Sequence, residues 1–182
     1  HWIAHRFEEA TEAFERVVEL FERNPSGYGM AVRTMPVPYS YVGLARAYRH
    51  FGRLDEAIEL GERALGRWPD NGDLWYHTGF AYIDKGDFDT ARNYLDQART
   101  VRQSGYDLIA MHDASIETWR ATKVLGDIDY ELSTRGDEED LTPEAVRAFR
   151  QAAWAQYDLV HDKIPDHAEE QVTVLARRVE LA

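Results

Sequence analysis

The chain has 182 residues and a mass of 21.0 kDa, and its composition already excludes several classes of protein. Hydrophobic residues make up 44% and charged residues 30%, a balance typical of a folded chain rather than a disordered one. The formal charge of −12 argues against general binding of nucleic acid or of an anionic membrane, because like charges repel. The sequence contains no cysteine, which excludes disulfides, thiol catalysis and cysteine-ligated metals. It also has no secretory signal and no apolar run of membrane length, so we expect a cytoplasmic protein.

The first predicted element is an amphipathic helix over residues 1–24. Its apolar side chains recur at spacings typical of one helix face and form a stripe, which includes Ile3, Phe7, Phe14, Val17 and Phe21. The chain has no complete upstream helix to cover this stripe, and an uncovered stripe favours a homodimer through the N-terminal helix. Residues 25–37 follow as an insertion punctuated by Pro and Gly.

Two consecutive segments, 38–71 and 72–105, repeat each other at an offset of 34 residues. The matching pairs are Tyr41 with Trp75, Ala45 with Gly79, Tyr48 with Tyr82, Gly52 with Gly86, Ala57 with Ala91, and Ala64 with Ala98. In the first copy, apolar residues have helical spacing on both sides of Gly52, whose position suits a left-handed residue just beyond a helix. Small residues at equivalent places let two antiparallel helices approach closely. Each copy therefore predicts a helix hairpin.

Helical patterns continue to the C-terminus. Residues 106–132 carry an apolar stripe that ends at Trp119 and falls where the first helix of a third, degenerate copy would lie. After an acidic loop, Thr142 and Pro143 predict the start of a long amphipathic helix, and a last helix begins near Asp166, so that helices fill residues 142–182. The chain has no convincing strand pattern. The predicted fold class is all-α.

The repeated unit resembles the tetratricopeptide repeat (TPR), whose pattern is an aromatic residue, Leu-Gly and Tyr, followed by Ala, Phe, Ala and Pro. The first copy matches it at Tyr41, Leu44, Tyr48, Gly52, Ala57, Ala64 and Pro69, and the second at Trp75, Gly79, Tyr82, Gly86, Ala91, Leu95 and Ala98. Two positions depart from it: Gly61 replaces a large apolar residue, and Gln103 replaces the terminal proline. The resemblance implies a right-handed superhelix of antiparallel hairpins, a TPR-like α-solenoid with extra C-terminal helices, in a single domain over 1–182.

The resemblance also implies that a peptide or protein partner binds the concave surface formed by the first helix of each hairpin. Carried over residue by residue, this surface would consist of Tyr39, Val42, Arg46, Arg49 and His50 in the first repeat, Asp73, Tyr76, His77, Phe80 and Asp84 in the second, and Met111 in the degenerate third. Arg46 and Arg49 would form a positive spot beside aromatic rings, which suits a peptide with a carboxylate and an apolar anchor. The Lys and Asn clamp of TPR co-chaperones is absent at the matching positions.

No pattern in the sequence predicts catalysis, a cofactor or a metal. The serines lie in no nucleophile elbow, and the phosphate-binding glycine and lysine patterns are incomplete. The pair His1 and His5 lacks the intervening glutamate and the further ligand of a zinc site. His161 and His167 lie close together in sequence with two aspartates, which turn capping and solvation explain better than a metal does.

We therefore predict a non-enzymatic helical-repeat scaffold that binds a protein or peptide in a concave groove. Two complete repeats are few for a free-standing solenoid, and the chain begins at His1 inside an incomplete repeat. The alternative is a TPR appendage of a larger multidomain protein, such as a bacterial glycosyltransferase or signalling protein, serving dimerisation or positioning. Two questions stay open in the sequence. The C-terminal helices either leave the groove free or occupy it, and Trp154 either packs on a neighbouring helix or faces a partner.

Overall fold

The computed structural model describes residues 2–28, 37–101, 118–135, 141–162 and 169–181. Within these ranges every regular element is a helix, which confirms the all-α prediction. The α-helices are α1 (Trp2–Arg23), α2 (Val37–His50), α3 (Leu54–Leu65), α4 (Gly72–Lys85), α5 (Phe88–Thr100), α6 (Thr118–Thr134), α7 (Pro143–Val160) and α8 (Glu169–Leu181). A short 3-10 helix, Pro25–Tyr28, follows α1.

The helices group into two compact units, His1–Ser115 and Ile116–Ala182. The single domain over 1–182 stays a prediction. In the first unit α1 packs on α2, and α2 packs on both α3 and α4. Helix α4 in turn packs on α3 and α5, so that α2–α3 and α4–α5 form two successive hairpins. In the second unit α6 packs on α7, and α7 packs on α8.

Both hairpins of the first unit turn at a glycine with left-handed backbone. Gly52 has a φ of 71° and Gly86 a φ of 84°, values that a residue with a β-carbon adopts only at a cost. The same pair of hydrogen bonds closes α2 and α4: the glycine N–H donates three residues back, and the next N–H donates five residues back. Local sequence therefore determines both turns, and the prediction for Gly52 is confirmed.

The core of the first unit forms where α1, α2 and the end of α3 meet. Tyr41 of α2 is fully buried, its ring centroid lies 5.3 Å from that of Trp68, and its hydroxyl donates to Glu22 of α1 at 2.9 Å. Phe21 of α1 is 3% exposed and meets both rings. These contacts dock α1 through a combination of apolar burial and a hydrogen bond.

Helix α2 covers much of the apolar stripe of α1. The ring of Phe14 packs against the core so near to Gly43 of α2 that a β-carbon there would lie 2.6 Å from it. Together with the burial of Phe21, this corrects the expectation of an uncovered stripe at these two positions. Two other members of the stripe, Phe7 and Val17, remain exposed, as does the neighbouring Leu20.

A partly buried polar cluster connects the three helices of the second unit. The fully buried Tyr157 of α7 donates its hydroxyl hydrogen bond to Asp127 of α6 at 2.9 Å. Arg177 of α8 donates to the same hydroxyl at 3.0 Å and pairs with Asp127, whose other oxygen lies 2.7 Å from Nζ of Lys123. Each charged group in the cluster therefore has a partner, as burial requires. Helix α7 begins at the predicted place, where the Thr142 hydroxyl accepts from the N–H of Ala145 at 3.2 Å.

Candidate functional site

The predicted concave surface lies on α2 and α4, which pack side by side. Its residues differ widely in accessibility. The exposed ones are Tyr39, Arg46, His50 and Asp84, and the partly buried ones are Arg49, Tyr76, His77 and Phe80. Val42 and Asp73 are only 7% and 8% exposed, so they lie beneath the surface rather than on it. Met111 falls outside the described residues.

Arg49 joins the two helices. Its Nε lies 2.7 Å from Oδ2 of Asp84, and its guanidinium carbon lies 4.7 Å from the ring centroid of Phe80. The Phe80 ring in turn meets Tyr76 edge to face, with centroids 4.9 Å apart. Only 19% of the Arg49 side chain is exposed. Its charge is therefore already paired within the protein, and its guanidinium lies against the ring of Phe80.

Arg46 is the guanidinium that stays available on this surface. It lies one helical turn before Arg49 on α2, it is exposed, and it forms no ion pair within the described part of the chain. A carboxylate that approached from solvent could accept two parallel hydrogen bonds from it.

The charges of Arg46 and Arg49 act on the imidazole of His77. Burial, and then the charges of Arg46 and Arg49, lower the pKa of His77 from its ordinary 6.5 to about 3. Its Nδ1 is buried and has no hydrogen-bond partner among the described atoms. The imidazole of His77 is therefore neutral at physiological pH and adds no positive charge to this surface.

Helix α1 contacts the α2–α4 surface at His50. The rings of His50 and Phe7 stack with centroids 4.6 Å apart and planes 18° from parallel. Phe7 lies on the exposed edge of α1, so this stack extends the aromatic surface beyond the first helices. The repeat pattern did not predict this contact, because it assigns α1 no role in the groove.

The other candidates from the sequence have simpler outcomes. No group of three His, Asp or Glu side chains within the described ranges could hold a metal ion. His161 pairs with Asp162 at 2.8 Å, whereas Asp166 and His167 lie outside those ranges. Among the described helices, none has the length and apolar character needed to cross a bilayer.

Trp154, whose environment the sequence left open, is 39% exposed and lines a cleft with Arg147 and Arg150. Sequence reasoning did not single out these two arginines, because exposed arginines are common on helices. Their spacing of seven and four residues from Trp154 places all three on one helix face, and this spacing could have identified them.

The comparisons with known families agree with the repeat seen in the sequence. One tetratricopeptide-repeat model matches residues 1–72, and a second matches residues 48–110. Residues 1–110 therefore match tetratricopeptide-repeat models, which confirms the resemblance. The matched region includes α1 and both hairpins.

Among solved structures, the chain is similar to that of a protein described as kinesin light chain TPR-like repeats from Podosopora anserina. The repeats of that protein are described as nearly identical to one another. The sequences are 18% identical, the match covers 98% of this chain and 88% of the other, and the TM-score is 0.48. No curated protein sequence matches the chain significantly.

Proposed function

We propose that the protein is a non-enzymatic scaffold that binds a peptide carrying a carboxylate and an apolar anchor on the surface formed by α2 and α4. Tetratricopeptide repeats typically serve as scaffolds for protein interactions, and the proposal adds the chemistry of the partner. The observation that carries it is Arg46, an exposed guanidinium with no ion pair in the described structure, on the same surface as the Tyr76–Phe80 ring pair.

The two parts of this surface would contribute differently to binding. Arg46 would hold the carboxylate, a contact between charged groups worth about 1.5 to 3 kcal/mol. The rings of Tyr76 and Phe80, held by Arg49, would present an edge-to-face pair to an apolar side chain. Because the chain as a whole carries a charge of −12, it attracts a negatively charged peptide only in the neighbourhood of Arg46. A single well-placed carboxylate therefore suits the surface better than a long acidic run.

Peptide selection tests this proposal directly. A phage-displayed library of random peptides would be panned against the full chain, and the selected peptides would be measured by fluorescence anisotropy. We expect selected peptides to share an acidic residue near an aromatic or aliphatic one. Arg46→Ala should raise their Kd about tenfold or more, in line with the loss of one charged hydrogen-bonded contact.

The matched control is Arg16→Ala, which removes an exposed arginine from α1. It should leave the Kd unchanged. Equal binding to the wild type and to Arg46→Ala would exclude this surface as the peptide site.

A second candidate function is dimerisation or positioning of a larger protein through α1. It is supported by the exposed apolar edge at Phe7, Val17 and Leu20, each between 38% and 40% accessible. Light scattering coupled to size-exclusion chromatography tests it, since a dimer through this edge would dissociate when Val17 is replaced by Glu. A concentration-independent monomer in the wild type would contradict it.

A further inference from the structure

An open cleft of about 580 Å³ lies on the second unit. Its lining residues follow those of the α2–α4 surface by more than 60 positions in the sequence. It is lined by four side chains of α7 and one of α8: Arg147, Arg150, Gln151, Trp154 and Leu181. Its volume is in the range of sites that hold a small organic ligand or a few peptide side chains, and it is larger than a single carboxylate or phosphate group requires.

The cleft is positively charged at one end. Arg147 is exposed and forms no ion pair with any described side chain. The Arg150 guanidinium donates to the backbone carbonyl of Glu180 at 2.9 Å, a contact that orients the side chain without neutralising its charge. Two carboxylates of this unit have other partners: Glu180 accepts from the hydroxyl of Tyr130, and Asp158 pairs with Arg178 at 2.7 Å.

The rest of the cleft is apolar. The indole of Trp154 is 39% exposed and therefore offers an apolar surface to a side chain that enters the cleft. The guanidinium carbon of Arg178 lies 5.6 Å from the centroid of its ring, so Trp154 is supported from α8 and held in place. Leu181 completes the apolar wall.

We propose that this cleft binds an acidic peptide segment that carries an aromatic or aliphatic side chain. The two guanidiniums would hold carboxylates of the segment, and its apolar side chain would pack on Trp154 and Leu181. Charge complementarity selects this occupant, because two unpaired arginines stand out in a protein with a charge of −12. Arg and Trp are also the residue types that contribute most to binding at protein interfaces. The site is independent of the α2–α4 surface and shares no residue with it.

The probe is a fluorescein-labelled heptapeptide, Ser-Glu-Leu-Phe-Asp-Ser-Gly, whose two acidic side chains match the two guanidiniums; it is titrated with the full chain and followed by anisotropy. Its isosteric counterpart, with every Asp and Glu replaced by Asn and Gln, serves as the uncharged control. We expect saturable binding of the acidic peptide that weakens as salt rises, and about tenfold weaker binding or none for the uncharged one. Absence of binding, or equal binding of both peptides, would overturn the proposal.

Variants then assign the binding to the cleft. Arg147→Gln and Trp154→Ala should each raise the Kd about fivefold or more. Arg135→Gln is the matched control, since Arg135 is an exposed arginine of the same unit that pairs with Glu131 outside the cleft, and it should leave the Kd unchanged. Circular dichroism would verify that each variant is folded. The cleft variants are also measured in an Arg46→Ala background, which removes the carboxylate contact proposed for the α2–α4 surface. Loss of all binding in that background would assign the peptide to the α2–α4 surface and overturn the cleft.

Discussion

A β-carbon on Gly61 of α3 would lie 2.1 Å from Oγ1 of Thr78 and 3.0 Å from its Cγ2. Thr78 of α4 is 1% exposed, and its hydroxyl donates to the carbonyl of Leu74 at 2.7 Å. The β-branched side chain is short and held by this hydrogen bond, so it cannot yield easily. Gly61, which departs from the repeat pattern in the sequence, is thus matched to Thr78 on the facing helix and allows α3 and α4 to approach closely.

The first prediction is that Gly61→Ala destabilises the protein. The clash with Thr78 should cost about 2 to 3 kcal/mol, of which the better helix propensity of Ala recovers about 1 kcal/mol. A net loss of about 1 to 2 kcal/mol in the free energy of unfolding should therefore be measurable by urea denaturation. In a Thr78→Ala background the same substitution should cost much less, because the clashing atoms are gone.

Gly66→Ala is the internal control for this prediction. A β-carbon there would meet only backbone oxygens at 3.5 Å or more, and the residue has right-handed helical backbone. This substitution should be neutral or slightly stabilising. Equal losses at positions 61 and 66 would show that flexibility of α3, rather than the contact with Thr78, accounts for the effect.

The second prediction concerns stability below neutral pH. The folded protein holds His77 with a pKa of about 3, well below its ordinary 6.5, mainly because of burial and then because of Arg46 and Arg49. Between these two values the unfolded chain binds a proton that the folded chain does not. Stability should therefore fall as pH decreases from 6.5 towards 3, with a contribution from His77 of up to about 1.4 kcal/mol per pH unit.

Urea denaturation of the wild type and of His77→Gln at several pH values tests this contribution. The variant should lose less stability on acidification than the wild type does. Parallel curves for the wild type and His77→Gln would contradict the assignment.

The third prediction concerns the polar cluster of the second unit. Tyr157→Phe removes a hydroxyl that accepts from Arg177 and donates to Asp127, and it leaves both charges with one partner fewer in a partly buried place. We expect a loss of about 1 to 3 kcal/mol in the free energy of unfolding, measured by thermal or urea denaturation. Tyr130→Phe, whose lost hydrogen bond to Glu180 is exposed, should cost less. The reverse order would be incompatible with this account of the cluster.

The fourth prediction separates the two faces of α1. Phe14→Glu places a charge against Gly43 and the core, so it should lower stability by about 3 kcal/mol or more whatever the oligomeric state. Val17→Glu lies on the exposed edge and should change the stability of the fold by about 0.5 kcal/mol or less. Denaturation combined with light scattering distinguishes the two. A severe loss of fold stability for Val17→Glu would place its face in the core.

Features that depend on local backbone and on spacing could be read from the sequence. Gly52 and Gly86 mark the two hairpin turns because each needs a positive φ that other residues avoid. Thr142 and Pro143 mark the start of α7 because the cap involves only neighbouring residues. The repeat offset of 34 residues indicates two copies of one helix hairpin, and the matches to tetratricopeptide-repeat models support this interpretation.

The contacts between helices could not be read in this way. Arg49 and Asp84 lie 35 residues apart in sequence. They pair because α2 and α4 pack side by side with these two side chains facing each other. The orientation of each helix about its own axis also decides that Phe14 packs against Gly43, that Val42 lies under the surface, and that Trp154 lines a cleft. A helical period specifies which residues share a face, but it does not specify what that face meets. The sequence by itself determined the repeat, the turns and the all-α class, and only the tertiary structure decided which arginines are neutralised and which remain available to a partner.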